Sequence, residues 1–181
     1  QQVRMNDFLQ LKKNLKCNFP GLTTIKVAIL GDTSTQFLSQ ALRGAGFEKG
    51  LDLQVWEADY NQAEQQIFDG ASELYSFNPS VVVFFRSTHT LINKYNKLKP
   101  AEYSSLAANE MELITSLASH VTSRLSAKII YYNYYEINDA VFGNYSNKTT
   151  SSFLFQLRKL NYELMCFASK NLKVHICDLA A

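Results

Sequence analysis

The chain has 181 residues, 46% hydrophobic and 19% charged. This balance fits one globular domain, or one domain with a small appendage, and excludes disorder. Eighteen Lys plus Arg against sixteen Asp plus Glu leave a net charge of +2, which excludes a whole-surface field for nucleic acid or an anionic membrane.

No apolar run approaches the roughly 20 residues of a membrane span. No amino-terminal stretch has the basic, apolar, small-residue order of a signal peptide. Three cysteines without a C-x-x-C pair argue against a disulfide framework or a thiolate zinc site and read as reduced thiols in a cytoplasmic protein. A helical pattern over 7–16 presents Phe8, Leu11 and Leu15 and stops before Phe19-Pro20-Gly21. Residues 1–22 are read as this helix and a linker, and 23–181 as an α/β domain. The first strand is expected at 25–30. A short helix follows at 36–43, with Gly44 and Gly46 as its carboxyl-terminal stop. The second strand is expected at 51–57, followed by a weaker, polar-rich helix at 61–68. The third, Val81-Val82-Val83-Phe84-Phe85, is continuously apolar, as a parallel strand covered on both faces should be. Lys94, Lys97 and Lys99 around Tyr95 read as a solvated helix face. The clearest helix, 101–125, carries Leu106, Leu113, Ile114, Leu117, Val121 and Leu125 at three- and four-residue steps. The fourth strand is expected at 128–132. The irregular stretch 133–149, rich in aromatic residues, is either a lid or a packed surface loop. A helix at 152–169 and a strand at 173–177 complete the pattern. The stop at Asp178-Leu179-Ala180-Ala181, directly after an apolar run, reads as a boundary inside a longer protein.

Strand and helix alternate five times. This predicts a three-layer α/β/α fold around a five-stranded, mainly parallel sheet. In such a sheet, ligands bind outside the carboxyl ends of the strands. The residues there are Gly31-Asp32-Thr33-Ser34-Thr35, then Glu57, Asp59 and Asn61, then Arg86-Ser87-Thr88-His89, then Asn133, then Asp178. Gly31 lets the chain turn off the strand. A hydroxyl at Thr33 or Ser34 meets the amino end of the next helix, where it suits either a nucleophile or a cap; on the residues alone, capping outweighs catalysis. The single Gly excludes a phosphate loop. His89 is the best-placed base; His120 reads as a boundary residue and His175 as a buried, hydrogen-bonded one. Arg86 either binds an anion or pairs with an acid such as Asp32 or Asp59, and the pair is the reading adopted. No His, Cys or carboxylate grouping has metal-ligand spacing, so no metal or cofactor is expected in this domain.

The stretch Lys26-Val27-Ala28-Ile29-Leu30-Gly31-Asp32-Thr33-Ser34-Thr35-Gln36-Phe37-Leu38 resembles the start of the amino-terminal domain of FkbH-like proteins. Gly50-Leu51-Asp52-Leu53, Glu57-Ala58-Asp59-Tyr60-Asn61-Gln62, Leu74-Tyr75-Ser76-Phe77-Asn78-Pro79 and Asn133 follow in the same order. The resemblance covers nearly the whole chain. It implies an SGNH/GDSL-hydrolase-like or flavodoxin-like domain that precedes a haloacid-dehalogenase-like phosphatase domain. Family members of this kind load a glyceryl unit onto an acyl carrier protein. The phosphatase motif D-x-D-x-T, with its magnesium, is absent from these residues. The G-D-S block of SGNH hydrolases maps onto Gly31-Asp32-Thr33, which puts Thr at the nucleophile position and Ser34 beside it. Arg86-Ser87-Thr88-His89 stands where their G-x-N-D block should be, and Asp178 lacks a His three residues on.

Two functions are therefore expected. One is acyl transfer, or thioester or ester hydrolysis, on a carrier-bound acyl group. In it, Thr33 or Ser34 is the nucleophile, Asp32 holds the turn, His89 is the base, and Arg86, Asn133, Asn61 and Asp59 contact the substrate. The other is a non-catalytic docking module for the downstream phosphatase domain. The implied partners are that domain and an acyl carrier protein, with no nucleic acid and no membrane.

Overall fold

The computed structural model describes residues 7–17, 19–137 and 141–179. Five strands, β1 (Thr23–Gly31), β2 (Leu51–Glu57), β3 (Val81–Phe85), β4 (Lys128–Tyr132) and β5 (Val174–Cys177), form one sheet in the order β2-β1-β3-β4-β5. Every pairing is parallel. This is the flavodoxin-like doubly wound order, whose ligand crevice opens between β1 and β3, where the winding reverses.

Seven helices connect the strands among the described residues: α1 (Phe8–Asn14), α2 (Gln36–Glu48), α3 (Ala63–Phe68), α4 (Glu73–Phe77), α5 (Thr88–Tyr95), α6 (Leu106–Arg124) and α7 (Phe153–Ser169). Alternate strand residues divide between two faces. Ala28, Leu30, Val82, Phe84, Ile129 and Tyr131 face the main core with Ile67, Leu91, Ile114, Leu117, Leu157 and Leu160 from α3, α5, α6 and α7. Val27, Ile29 and Val83 face the other way, against Leu38 and Leu42 of α2. Helices thus lie on both sides of the sheet, as three layers require.

α2 differs from the expected 36–43. It runs through Gly44 and Gly46 to Glu48, with Lys49 as its cap, and the chain then turns at Gly50, whose φ is +74°. The two glycines are not stops; they are points of close approach. A Cβ on Gly44 would come within 2.9 Å of Leu11 Cα, and one on Gly46 within 2.7 Å of Leu53 Cγ. α1 therefore rests on α2, where Asn14 Nδ2 donates to Gly44 O at 3.2 Å and to Glu48 Oε1 at 2.9 Å. The pattern at 101–125 resolves into a 3₁₀ turn, Pro100–Ser105, followed by α6. Within 133–149 the chain forms a second 3₁₀ turn, Gly143–Lys148; residues 138–140 lie outside the described residues. No helix among the described residues is long and apolar enough to cross a membrane.

Candidate binding site between the ends of the first and third strands

Gly31 ends β1, and its φ is not among the positive ones. What it supplies is room: a Cβ there would lie 2.6 Å from Thr35 Cγ2 and 3.3 Å from Phe85 O. The chain leaving β1 can therefore lie against the end of β3, where Asp32 N–H reaches Phe85 O at 3.4 Å. The Asp32 side chain then crosses the gap, and its Oδ1 accepts the Ser87 N–H at 2.8 Å. Ser87 caps α5, its Oγ accepting the His89 N–H at 3.1 Å. An internal carboxylate thus sits at the positive end of α5.

Arg86 stands beside it at the end of β3. Its Nη2 donates to Glu64 Oε1 at 2.9 Å. Its Nη1 lies 3.9 Å from Glu110 Oε2 and is buried without a hydrogen-bond partner. Glu110 is 3% exposed and accepts a hydrogen bond from Lys94 Nζ. Beneath the guanidinium, the buried Tyr131 and Tyr134 hydroxyls pair at 3.2 Å. A cavity of about 190 Å³ opens here, lined by Asp32, Glu64, Arg86, Thr90, Lys94 and Glu110 among others. Asp32, Glu64 and Arg86 also line a smaller adjoining one with Asn61.

The electrostatics follow from burial. Burial raises the Asp32 carboxyl above its ordinary range, and the Ser87 N–H and Arg86 pull it partly back. Burial opposes the Arg86 charge, but the Glu110 and Glu64 carboxylates hold it, so the guanidinium stays charged. The Tyr131 phenol is pushed up to about 12, chiefly by burial, and Tyr134 is raised in the same way. Both stay neutral near pH 7. The pocket therefore combines the Arg86 guanidinium and the Lys94 ammonium with the Asp32, Glu64 and Glu110 side chains.

The other expected site residues are distributed differently. Thr33, Ser34 and Asp59 line a separate cavity of about 310 Å³ with Thr35 and Glu57. Neither Thr33 nor Ser34 occupies the cap of α2. That position belongs to Thr35, whose hydroxyl donates to Glu57 and accepts no N–H from the helix. Asn61, at φ +57°, turns the chain after β2 and reaches the smaller Arg86 cavity. His89 is exposed and its Nε2 pairs with Tyr135 OH at 2.7 Å. Asn133 ties β4 to the residues after β5 through Asp178 and Leu179. Arg86 pairs with Glu64 and Glu110, not with Asp32 or Asp59 as expected. His175 is exposed on the edge strand β5, not buried. His120 is half-buried, with Nδ1 against Ser116 O at 2.8 Å and its ring on Phe68.

Glu110, Lys94, Glu64 and Tyr134 belong to the site and were absent from the sequence expectation. A signal for Glu110 did exist: it lies four residues from both Leu106 and Ile114, inside the apolar stripe of α6. A carboxylate buried in such a stripe needs a cation paired with it. Lys94, read as solvated, supplies it from α5. No group of three or more His, Cys, Asp or Glu placed to hold a metal ion occurs among the described residues.

A family model described as FkbH, N-terminal domain matches residues 26–181. No curated protein matches the chain. Among solved structures, the chain is similar to the amino-terminal part of protein BF1531 from Bacteroides fragilis, a crystal structure described as containing a phosphatase domain complexed with Mg. The identity is 39% and the TM-score 0.91, over 97% of this chain. The match spans only 46% of that relative's chain.

Proposed function

This chain belongs to the FkbH N-terminal domain family, and from that membership we propose that it is the acyl-binding module of a longer protein with a haloacid-dehalogenase-like phosphatase domain downstream. It holds the acyl end of a carrier-bound thioester between the ends of β1 and β3 and does not itself cleave it. The solved relative, whose chain contains a phosphatase domain, supports the two-domain reading. The observation that carries the binding role is Arg86. One nitrogen of its guanidinium is fixed by Glu64, Nη1 is buried without a hydrogen-bond partner, and the side chain lines an open cavity. A buried donor without an acceptor is costly. An acyl carbonyl oxygen that reaches the guanidinium through the cavity Arg86 lines removes that cost.

Binding is favoured over hydrolysis because the parts of a nucleophile–base pair lie apart. His89 is engaged by Tyr135, whereas Thr33 and Ser34 share their cavity with Glu57 and Asp59. A hydroxyl nucleophile needs a base within hydrogen-bond reach. The second reading, acyl transfer through Thr33 or Ser34, draws on that separate hydroxyl-lined cavity, where Glu57 is the nearby base.

The test uses the full-length protein and an acyl-thioester carrier. Thioester cleavage, intact mass and carrier binding are compared between the parent and its Thr33→Ala and Ser34→Ala variants. Binding without adduct or turnover in all three supports the module. An adduct or turnover lost in one variant establishes acyl transfer instead.

A further inference from the structure

α7 is apolar on two sides. Phe153, Leu157, Leu160 and Leu164 face the core. Its outer side carries Phe155, Arg158, Tyr162 and Met165, at the three- and four-residue steps of one helix face. A surface helix normally turns a polar face to water, yet Tyr162 and Met165 are 63% and 56% exposed. The segment before α7 adds Phe142 and Tyr145, which are 43% and 65% exposed.

Two adjoining cavities make this side concave. One, of about 340 Å³, lies among Glu136, Gly143, Asn144 and Leu154. The other, of about 530 Å³, is lined by Phe155, Lys159 and Tyr162. Asn147 and Arg158 line both. Arg158 is a fixed rib between them. Its Nε and Nη2 each donate to Glu136 at 2.6 Å, and its Nη1 donates to Asn147. The groove is thus shaped before anything enters it, which lowers the cost of binding. Aromatic rings and an Arg inside a polar rim are the composition of a protein interface, and an exposed apolar patch rimmed by polar groups marks an interaction site.

The occupant follows from the path of the chain. Asn161 of α7 holds Tyr134 through its N–H and its carbonyl, at 3.0 and 2.7 Å. Asn133, next to Tyr134, holds Asp178 and Leu179. Glu136, on the wall of the groove, is three residues from Asn133, at most about 11 Å of extended chain. In the longer protein proposed above, the polypeptide therefore continues from Leu179 beside the groove. A tethered neighbour meets the nearest surface at a high effective concentration. The match to the solved relative spans 46% of that chain, so more than half of the relative lies outside it.

We propose that the downstream domain of the same polypeptide seats on this groove and covers Tyr145, Phe155 and Tyr162. The inference rests on the two-domain part of the proposed function. It is independent of the Arg86 site, which shares no lining residue with the groove. A contact that mixes aromatic rings with Asn147, Arg158 and Lys159 has the polar character of an interface between domains of one chain.

The test places the photoreactive residue p-benzoylphenylalanine at position 145, 162 or 172 of the full-length protein and maps the crosslinks by mass spectrometry. Leu172 is 96% exposed and lies just before β5, at the opposite rim of the sheet. Positions 145 and 162 are expected to join to peptides beyond residue 181 of the same chain, and position 172 to none. Tyr145→Asp combined with Tyr162→Asp should raise the radius of gyration in small-angle scattering, with circular dichroism unchanged. Crosslinks from the groove to residues 1–181 of a second chain make it an interface between copies and overturn the inference. Equal yields at all three positions, no crosslink beyond residue 181, or an unchanged radius of gyration in the double variant overturn it as well. Intact mass and peptide mapping separate the two readings. A full-length chain without a phosphatase domain overturns the two-domain proposal itself, whereas a two-domain chain without these crosslinks overturns only the docking surface.

Discussion

Asn133 and Asp178 are joined by a 2.7 Å hydrogen bond from Asn133 Nδ2 to Asp178 Oδ1. The same amide accepts the Leu179 N–H on Oδ1 at 2.7 Å, and the Asn133 N–H reaches Cys177 O at 3.2 Å. Asn133 is therefore a clamp between the end of β4 and the residues after β5, not a free ligand contact. Asn133→Ala leaves buried polar groups unpaired and should cost about 1–3 kcal/mol, without altering acyl-ligand affinity. Urea denaturation beside a binding titration checks this. Lost affinity at unchanged stability would return Asn133 to the ligand site.

Glu110 should be the most stability-sensitive charge in the protein. It is 3% exposed and holds two cations. Glu110→Ala leaves Arg86 short of a counter-charge and should cost about 3–5 kcal/mol. Lys94 has a half-exposed side chain, so water replaces much of what Lys94→Ala removes, and the cost should be about 1 kcal/mol or less. Denaturant midpoints of the two variants test the ranking. Equal losses would mean that Glu110 is better hydrated than its burial indicates.

The strands were legible because their signal is local. Val81 to Phe85 and the run at 128–132 are short, apolar and rich in β-branched or aromatic residues, and β2, β3 and β4 have the expected ends. The rim was legible for the same reason, since a parallel strand places its next residues at the carboxyl edge. The site itself was less so. Arg86 was recognisable as a charge after an apolar run, but its partners Glu64 and Glu110 come from α3 and α6, and only the tertiary arrangement brings them to it. α4 and α5, with five and eight residues, are too short for periodicity to announce. Gly44 and Gly46 misled because a glycine needed for close approach looks the same in sequence as a helix stop. His175 misled because an edge strand has the same apolar flanks as a central one, yet one side of it faces solvent.

Gly44 offers a test of how firmly α1 belongs to the domain. A methyl group there would strike the Leu11 backbone, with Cα only 2.9 Å away. Backbone cannot rotate aside as a side chain can, so Gly44→Ala should cost about 1–3 kcal/mol. The loss should come from undocking α1, breaking the Asn14 bonds to Gly44 and Glu48 and the Phe8–Phe37 edge contact. Limited proteolysis should then cut first at residues 7–17. A neutral substitution with unchanged cleavage would mean that α1 shifts without loss.

Asp32 gives a pH signature with a definite sign. Burial raises its carboxyl above the ordinary range, against the opposing pull of the Ser87 N–H and Arg86. Between the unfolded value, near about 4, and the raised folded value, the folded protein binds more protons than the unfolded one. Stability attributable to Asp32 therefore falls as pH rises through that window and stays reduced above it. Asp32→Asn removes the titration but retains an oxygen for the Ser87 N–H. The melting-temperature difference, variant minus parent, should become more positive as the pH is raised from about 4 towards neutrality. A difference that stays flat or declines would mean that the Ser87 N–H and Arg86 fully offset the burial of Asp32.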